Sequence, residues 1–539
     1  MRHPKIFYDA QDAQLLTLIS QVERRRQSGV LPLPKLNPNG IIRLADPMEE
    51  RMAAAVLRLL DMLNKGGVED RIDALRALRD EVRSMTHAQY PMNTGRVLLQ
   101  IMKDLVRGGG SRDEQLRLAH DFRMAATGRP SVVRHLLKRY FMLEMPEDWN
   151  QAVFDNHVHD ANTKGRKTPT HLIMDAWIKG IRALTVIYYN YVLPSAAHEL
   201  LASAAIMGIN VRIGLLFHAP HRGKLVDLIW VPRGFTSEED FVSFLYTQEM
   251  QALMGSGRAA TRWLEKRILR IVKIWNGNER ERMAVLLGAT PAPLDEREFL
   301  EFVGSGQASM LHLAEFIHKK LFPLMQSRAN DLKLASIDAQ KSDEERSESA
   351  KQLEKLDHLS IETVLRRLND PKIFPESQWI QEACTSKDCP PILSTPPYKL
   401  LKQLWDLKSG SRVTLNLAGL DGTDVLELLW DCKGLISHLE IFNLKDWQNG
   451  RMESIAEIND LQRAINASSI PRLKALVDRM IEREQSRESP DADRLRKLVI
   501  FKQNMPVLCE YYEASKLRAT MGTDSTSRPG YHFGMGLAY

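Results

Sequence analysis

The sequence predicts an α/β protein: a barrel-type domain of strand–helix units, preceded by an all-α domain and split by a large helical insertion. Three observations predict this. From 153 to 232, and again from 411 to 524, strand-like runs alternate with helix-like runs at the spacing of βα units around a parallel sheet. Residues 1–148 and 236–406 instead carry apolar residues three and four apart, the period of buried helix faces. The 539 residues are too many for one ordinary domain, and a 44% hydrophobic share is enough to bury a core along most of them. The expected boundaries are 1–148 for a helical bundle, 149–235 for the first half of the barrel, 236–406 for the insertion and 407–539 for the second half.

In the first segment, Asp46 and Pro47 stand as cap and first-turn residue for EERMAAAVLRLLDMLNK. Val68–Met85 repeats the amphipathic pattern, as do GRVLLQIMKDLV and SVVRHLLKRYFML. GGG at 108–110 and Thr127-Gly128 read as turns, and Asp70, Arg71, Arg79 and Asp80 as a solvated face. The texture changes at Val153. AVFDNHVHD, RALTVIYYN, NVRIGLLFHA and KLVDLIWVP read as strands, with helices TPTHLIMDAWIKGI and PSAAHELLASAAIMGI between the first three. Gly180 and Gly208 fall where each helix hands over to a strand. The charged run Leu334–His358 is read as a solvated helix or linker. Strands resume at SRVTLNLAGLDG, LISHLEIFN and KLRATMGTD. The apolar end GYHFGMGLAY reads as the middle of an element, so the chain is expected to be the front part of a longer protein.

Composition narrows the function classes. Lys and Arg number 74 against 68 Asp and Glu, an excess of +6 too dilute over this length to predict nucleic-acid or membrane binding. Arg24-Arg25-Arg26 is a short helix face, too small for a nucleic-acid site. Four cysteines make no disulfide scaffold and no CxxC zinc pair, which points to a reducing compartment. No apolar run reaches the length of a membrane span and no leader is visible, so a cytoplasmic location is expected. GxGxxG after a strand, GxxxxGK[ST], HExxH and GxSxG are all absent.

What remains is His157-Val158-His159 at the end of the first strand. Histidines at i and i+2 on a strand face the same way and can share a metal ion. With 15 His in the chain, roughly 0.4 such pairs arise by chance, so the pair alone is a weak signal. Its place improves it, because βα barrels carry their chemistry at the C-terminal ends of strands.

DNHVHDANTKGRKTPTHLIMDAWIKGIRALTVIYYN, Asp155 to Asn190, resembles the opening of the PHP (polymerase and histidinol phosphatase) family: a strand ending in His-x-His, a polar loop, Thr-Pro leading a helix that closes in Gly-Ile, then a second strand. Arg212–Phe217, LNLAGL (415–420), HLEIFN (438–443) and MGTDST (521–526) are similar, in the same order, to its later strands. The resemblance spans about 150–539 with the insertion inside it, and implies a PHP-like distorted β/α barrel. It also implies two or three metal ions, usually zinc, manganese or iron, and phosphoester hydrolysis.

Carried over by position, His157 and His159 match the first ligand pair and Asp524 the last aspartate. The family's second-strand Asp-His falls on Tyr188 and Tyr189, its third-strand Glu on Leu216, its Ala-His-Pro histidine on Gly419 and its final histidine on Thr526. Tyrosine cannot replace those ligands at neutral pH, because its phenol stays protonated.

The surviving set would hold a single divalent ion (Zn, Mn or Fe), supplemented by His218, His221, Asp421 or Glu440; the other reading is a relic histidine pair with no metal. Arg222, Lys224 and Arg233 are expected to flank the same barrel edge, with Arg528 following Asp524, as clamps for a phosphate or as ordinary surface charge. Two functions follow. The leading one is a divergent PHP-like barrel with a largely degenerate site, acting as a binding or scaffolding module for a protein partner. The alternative is a metal-dependent phosphoesterase acting on a phosphorylated small molecule.

Overall fold

The computed structural model describes residues 8–27, 48–84, 90–107, 111–146, 153–338, 342–377, 388–528 and 534–538. The expected turn at 108–110 lies outside them, as does the expected boundary near 148.

Eight strands form one sheet: β1 (Val153–Val158), β2 (Ala183–Tyr189), β3 (Asn210–His221), β4 (Lys224–Val231), β5 (Arg412–Asn416), β6 (His438–Asn443), β7 (Arg518–Gly522) and β8 (Leu537–Ala538). Their order is β7-β6-β5-β4-β3-β2-β1-β8. A parallel bridge from Val158 to Ser525, and a hydrogen bond from the His159 amide to the Ser525 carbonyl, bring the stretch after β7 back to β1. The sheet is therefore a nearly closed barrel wrapped by helices, the α/β architecture expected.

Helices Pro169–Ile178 and Pro194–Met207 connect β1 to β2 and β2 to β3. Each ends at a glycine in the left-handed region, Gly180 at φ 78° and Gly208 at φ 67°, where a side chain would be strained. One expectation of an all-parallel arrangement fails. β4 runs antiparallel to both β3 and β5. The cause is the two-residue turn Arg222-Gly223, with φ 49° and 77°, whose twist closes β3 and β4 into a hairpin. β4 therefore ends at the opposite mouth of the barrel from β1, β2 and β3.

The first helical segment packs directly on the barrel. Arg71 pairs with Glu199 through two contacts, 2.8 and 2.5 Å, and the Arg96 guanidinium donates to the Ile178 carbonyl at 2.8 Å. One apolar core runs continuously from Leu15 to the barrel strands. Residues 268–374 of the insertion build a second core of their own. Their neighbour Gln307 reaches back to the C-terminal mouth, where it donates to the carbonyls of Thr163 and Tyr189. The charged run after Leu334 is helical over Asp343–Asp357. No helix among the described residues is long and apolar enough to cross a membrane. Cys432 and Cys509 are free and buried, while Cys389 is disulfide-bonded, which the expectation of a reducing compartment did not include.

Candidate metal centre

The inward positions of the strands define the site. Ile187, Leu216, Ile229 and Val231, with Tyr189, fill the middle of the lumen with apolar side chains. Above them, at the C-terminal ends of the parallel strands, the lumen turns polar. β1 carries a register shift between Asp155 and Val158, and His157 and His159 both come inward with ring centroids 5.1 Å apart. Asp155 anchors this end. It is fully buried and accepts from the Thr523 amide at 3.0 Å, the Thr523 hydroxyl at 2.6 Å and the Gly536 amide at 2.9 Å. Gly522 is required beside it, because a Cβ there would stand 2.4 Å from the His157 Cβ and 2.9 Å from its backbone nitrogen.

Asp524 follows β7 in the left-handed region at φ 51°, a conformation that aspartate tolerates better than most residues. Its Oδ1 lies 2.9 Å from His159 Nε2 and 3.7 Å from His157 Nε2. All three residues are buried, and their ligand atoms lie within 4.8 Å of one another. Both imidazoles are oriented from behind. His157 Nδ1 meets Glu440 Oε1 at 2.8 Å, and Glu440 in turn accepts from Asn416 at 2.6 Å. His159 Nδ1 meets the Ile187 carbonyl at 2.9 Å, a partner that only an N–H satisfies.

That last contact fixes the tautomer, so the neutral His159 ring turns a lone pair toward Asp524. Burial, with Lys164 beside it, pushes His159 down to about 3. Burial alone would also lower His157, but the charges of Glu440 and Asp524 push it up to about 9. Burial raises Asp524, and Lys164 and Lys445 more than offset this and hold it well below the usual carboxylate range. His157 Nε2 and His159 Nε2 are both buried without a hydrogen-bond partner. Two imidazole nitrogens and a carboxylate oxygen converging this way fit a zinc, manganese or iron(II) ion. The orienting partners on the far ring nitrogens complete the pattern usual for metal-bound histidine.

The lysines at this site had no counterpart in the sequence reading. Lys164 Nζ is 2.8 Å from Asp524 Oδ1, and Lys445 Nζ is 3.3 Å from Oδ2. Asp446 is buried next to Lys445, where burial and the charges of Asp524 and Glu440 push it up to about 6.

The two tyrosines take packing roles. Tyr189 stacks between His159 (5.2 Å) and His218 (6.3 Å), and the Tyr188 hydroxyl donates to Asp160 at 2.5 Å. The Tyr189 ring therefore separates His218 from the cluster, and His218 Nδ1 pairs with Asp227 at 2.6 Å across the hairpin. Glu440 stands behind His157 and orients it. Asp421 caps the helix Gly422–Asp431, accepting from the Asp424 amide at 2.8 Å.

His221 belongs to a second group, with Nε2 3.6 Å from Asp424 and 3.5 Å from Glu427. Cations already hold both carboxylates. Arg222 grips Glu427 with two contacts, 2.7 and 3.1 Å, while Arg494 and Lys224 meet Asp424. This is an ion-pair network locking the hairpin to the helix, and it answers the expectation that Arg222 and Lys224 clamp a phosphate: both face carboxylates. Arg528 is committed too, to Glu315, His312 and the carbonyls of Lys164 and Gly165. Arg233 does not share an edge with Arg222. It follows the antiparallel β4 and sits at the other mouth.

Fold and site together define an α/β barrel with a buried two-histidine, one-aspartate centre at its C-terminal mouth. No family model and no curated protein matches the chain. Two solved structures are similar in outline. One is a candidate metal-dependent phosphoesterase from Bifidobacterium adolescentis, with 12% identity and a TM-score of 0.36 over 73% of this chain and 93% of that one. The other is an amidohydrolase from Chromobacterium violaceum with bound sulfate, with 13% identity and a TM-score of 0.34 over 71% of this chain and 90% of that one.

Proposed function

We propose that the chain is a metal-dependent phosphoesterase of the PHP type, its site reduced to a single divalent ion held by His157, His159 and Asp524. The observation that carries this reading is the convergence of His157 Nε2, His159 Nε2 and Asp524 Oδ1, all buried, on one point, with neither imidazole nitrogen hydrogen-bonded. A scaffold with a relic site has no need of that arrangement, since an unpartnered buried polar atom costs about 1–3 kcal/mol. When bound, the ion supplies Lewis-acid polarisation of a phosphoryl oxygen and acidifies water.

The chain's own residues do the rest. Glu440 and the Ile187 carbonyl hold the two rings in register. Lys164 balances the charge of Asp524. Beside Asp524 lies a cavity of about 190 Å³ lined by Lys445, Ser525 and Ser527, whose ammonium and hydroxyl groups suit a phosphoryl group. Its size favours a phosphorylated small molecule over a protein.

Two measurements test this: metal content by mass spectrometry on protein purified without chelators, and manganese-supported hydrolysis of p-nitrophenyl phosphate. Both are compared with a His157→Ala/His159→Ala variant. Bound metal and hydrolysis, both lost in the variant, are expected. Wild-type protein that carries no metal and takes none up on dialysis overturns the proposal.

A further inference from the structure

We propose that the opposite, N-terminal mouth of the barrel is a second binding site, taking a small phosphate-bearing anion on Arg212, Arg233, Arg412 and Arg518. The topology gathers these residues from distant parts of the chain. Arg412 and Arg518 open β5 and β7, Arg212 lies at the start of β3, and Arg233 follows the end of the antiparallel β4. In register, Arg212 pairs with Thr185, Arg412 with Val231, and Arg518 with His438. Arg412 is 5% exposed and sends its guanidinium across the lumen to within 3.4 Å of the Thr185 hydroxyl on β2.

At the other end of the β3–β4 pair carboxylates meet the arginines: Glu427, Asp491 and Asp493 meet Arg222, and Asp424 meets Arg494. Here none does. Among the described residues no ion pair reaches any of the four arginines. They act on one another instead. Arg233 is lowered by burial and then by Arg212 and Arg518. Arg412 is pushed down to about 10 by burial and then by Arg233 and Arg212, against a weaker pull from Glu440. Burial, and then the four arginines it faces, push His438 down to about 3, so it stays neutral.

Above this ring, Arg412 Nε and the hydroxyls of Thr414 and Thr520 are buried without hydrogen-bond partners. Unpaired guanidinium and hydroxyl donors, buried at Arg412, Thr414 and Thr520 and exposed at Arg233 and Arg518, are what a phosphate's oxygens satisfy, and guanidinium forks match its geometry. A cavity of about 400 Å³ opens beside Arg212 and Arg233, with Phe235 and Phe241 on its wall. That is the size of a small-molecule pocket and gives an organic phosphate somewhere to place its apolar part.

The test is calorimetric titration of the full chain, in chelator, with inorganic phosphate and with glycerol 3-phosphate side by side. Wild type is compared with Arg233→Gln/Arg518→Gln, two exposed positions whose change spares the core, and with His157→Ala/His159→Ala. Saturable binding to wild type is expected, weakened tenfold or more by the arginine variant and unchanged by the histidine variant. A tighter constant for the ester assigns the cavity to the organic part, and equal constants assign the arginines alone. No binding to wild type, equal binding by the arginine variant, or loss in the histidine variant each overturns the proposal. Arg412→Met, which keeps the side chain's bulk, gives a second check: it should also weaken binding.

Discussion

His159 Nε2 and Asp524 Oδ1 face each other at 2.9 Å, and neither carries a proton for the other. The Ile187 carbonyl claims the ring's only N–H, and burial keeps the ring neutral. Two buried acceptors in contact need a cation, and the positions around them offer three kinds: the Lys164 ammonium already at Asp524, the protonated His157 ring 3.7 Å from it, and a metal ion that both histidines can share once His157 gives up that proton. The chemistry of the site turns on which of them holds Asp524.

Glu440 orients His157 and does not itself reach the convergence point. Glu440→Gln keeps an acceptor for His157 Nδ1 but removes the charge behind the ring. It is expected to lower divalent-metal affinity by roughly 10–100-fold with little loss of fold, as replacing such outer partners does. Titration with Mn²⁺ or Zn²⁺ checks this, with circular dichroism as the fold control. Unchanged affinity would remove Glu440 from the centre.

Lys164→Met removes the ammonium that shares Asp524 and keeps the aliphatic stem. Metal affinity should rise in this variant, because the ion no longer competes with a fixed cation for the same oxygen. A fall in affinity would mean that the lysine supports the metal site through the 160–167 loop.

The barrel and its His/His/Asp set were legible from strand order and from residues at strand ends. The absence of His, Asp or Glu at Tyr188, Tyr189, Leu216, Gly419 and Thr526, which favoured a scaffold, was legible too, but burial and convergence are not properties of a sequence. The direction of β4 was missed because its turn is Arg222-Gly223, lacking the Asn-Gly or Asp-Gly signal that marks a tight hairpin. That one error moved Arg233 to the wrong mouth and hid the arginine ring. Lys164 and Lys445 belong to no motif, and only barrel closure brings them to Asp524. Arg71 read as solvated because its helix neighbours are charged, while its partner Glu199 lies on a helix of the barrel.

That pair gives a stability prediction. Glu199 is 2% exposed and also accepts from the Thr170 amide and hydroxyl. Arg71→Ala leaves its charge buried and uncompensated, which costs about 3–5 kcal/mol. Denaturant unfolding should show the loss as a lower midpoint. Arg71→Ala/Glu199→Gln should recover part of it, and a single variant as stable as wild type would mean that water reaches Glu199.

The hairpin carries a pH dependence whose sign follows from His218. Burial lowers its affinity for a proton and Lys164 opposes protonation as well, but Asp227 at 2.6 Å outweighs both, so its value in the folded chain is raised above the ordinary 6.5. A raised histidine stabilises the fold fully below its unfolded value, and the contribution is lost as pH rises through the folded one. Asp227→Asn removes the charge that holds the proton and lowers Tm. That drop should be larger near about pH 6, where the wild-type pair is charged, than at a pH above the raised folded value, where the histidine has lost its proton. Scanning calorimetry of both proteins at both pH values measures it, and an equal drop at the two would show that His218 is neutral throughout and that Asp227 acts only as a hydrogen-bond acceptor.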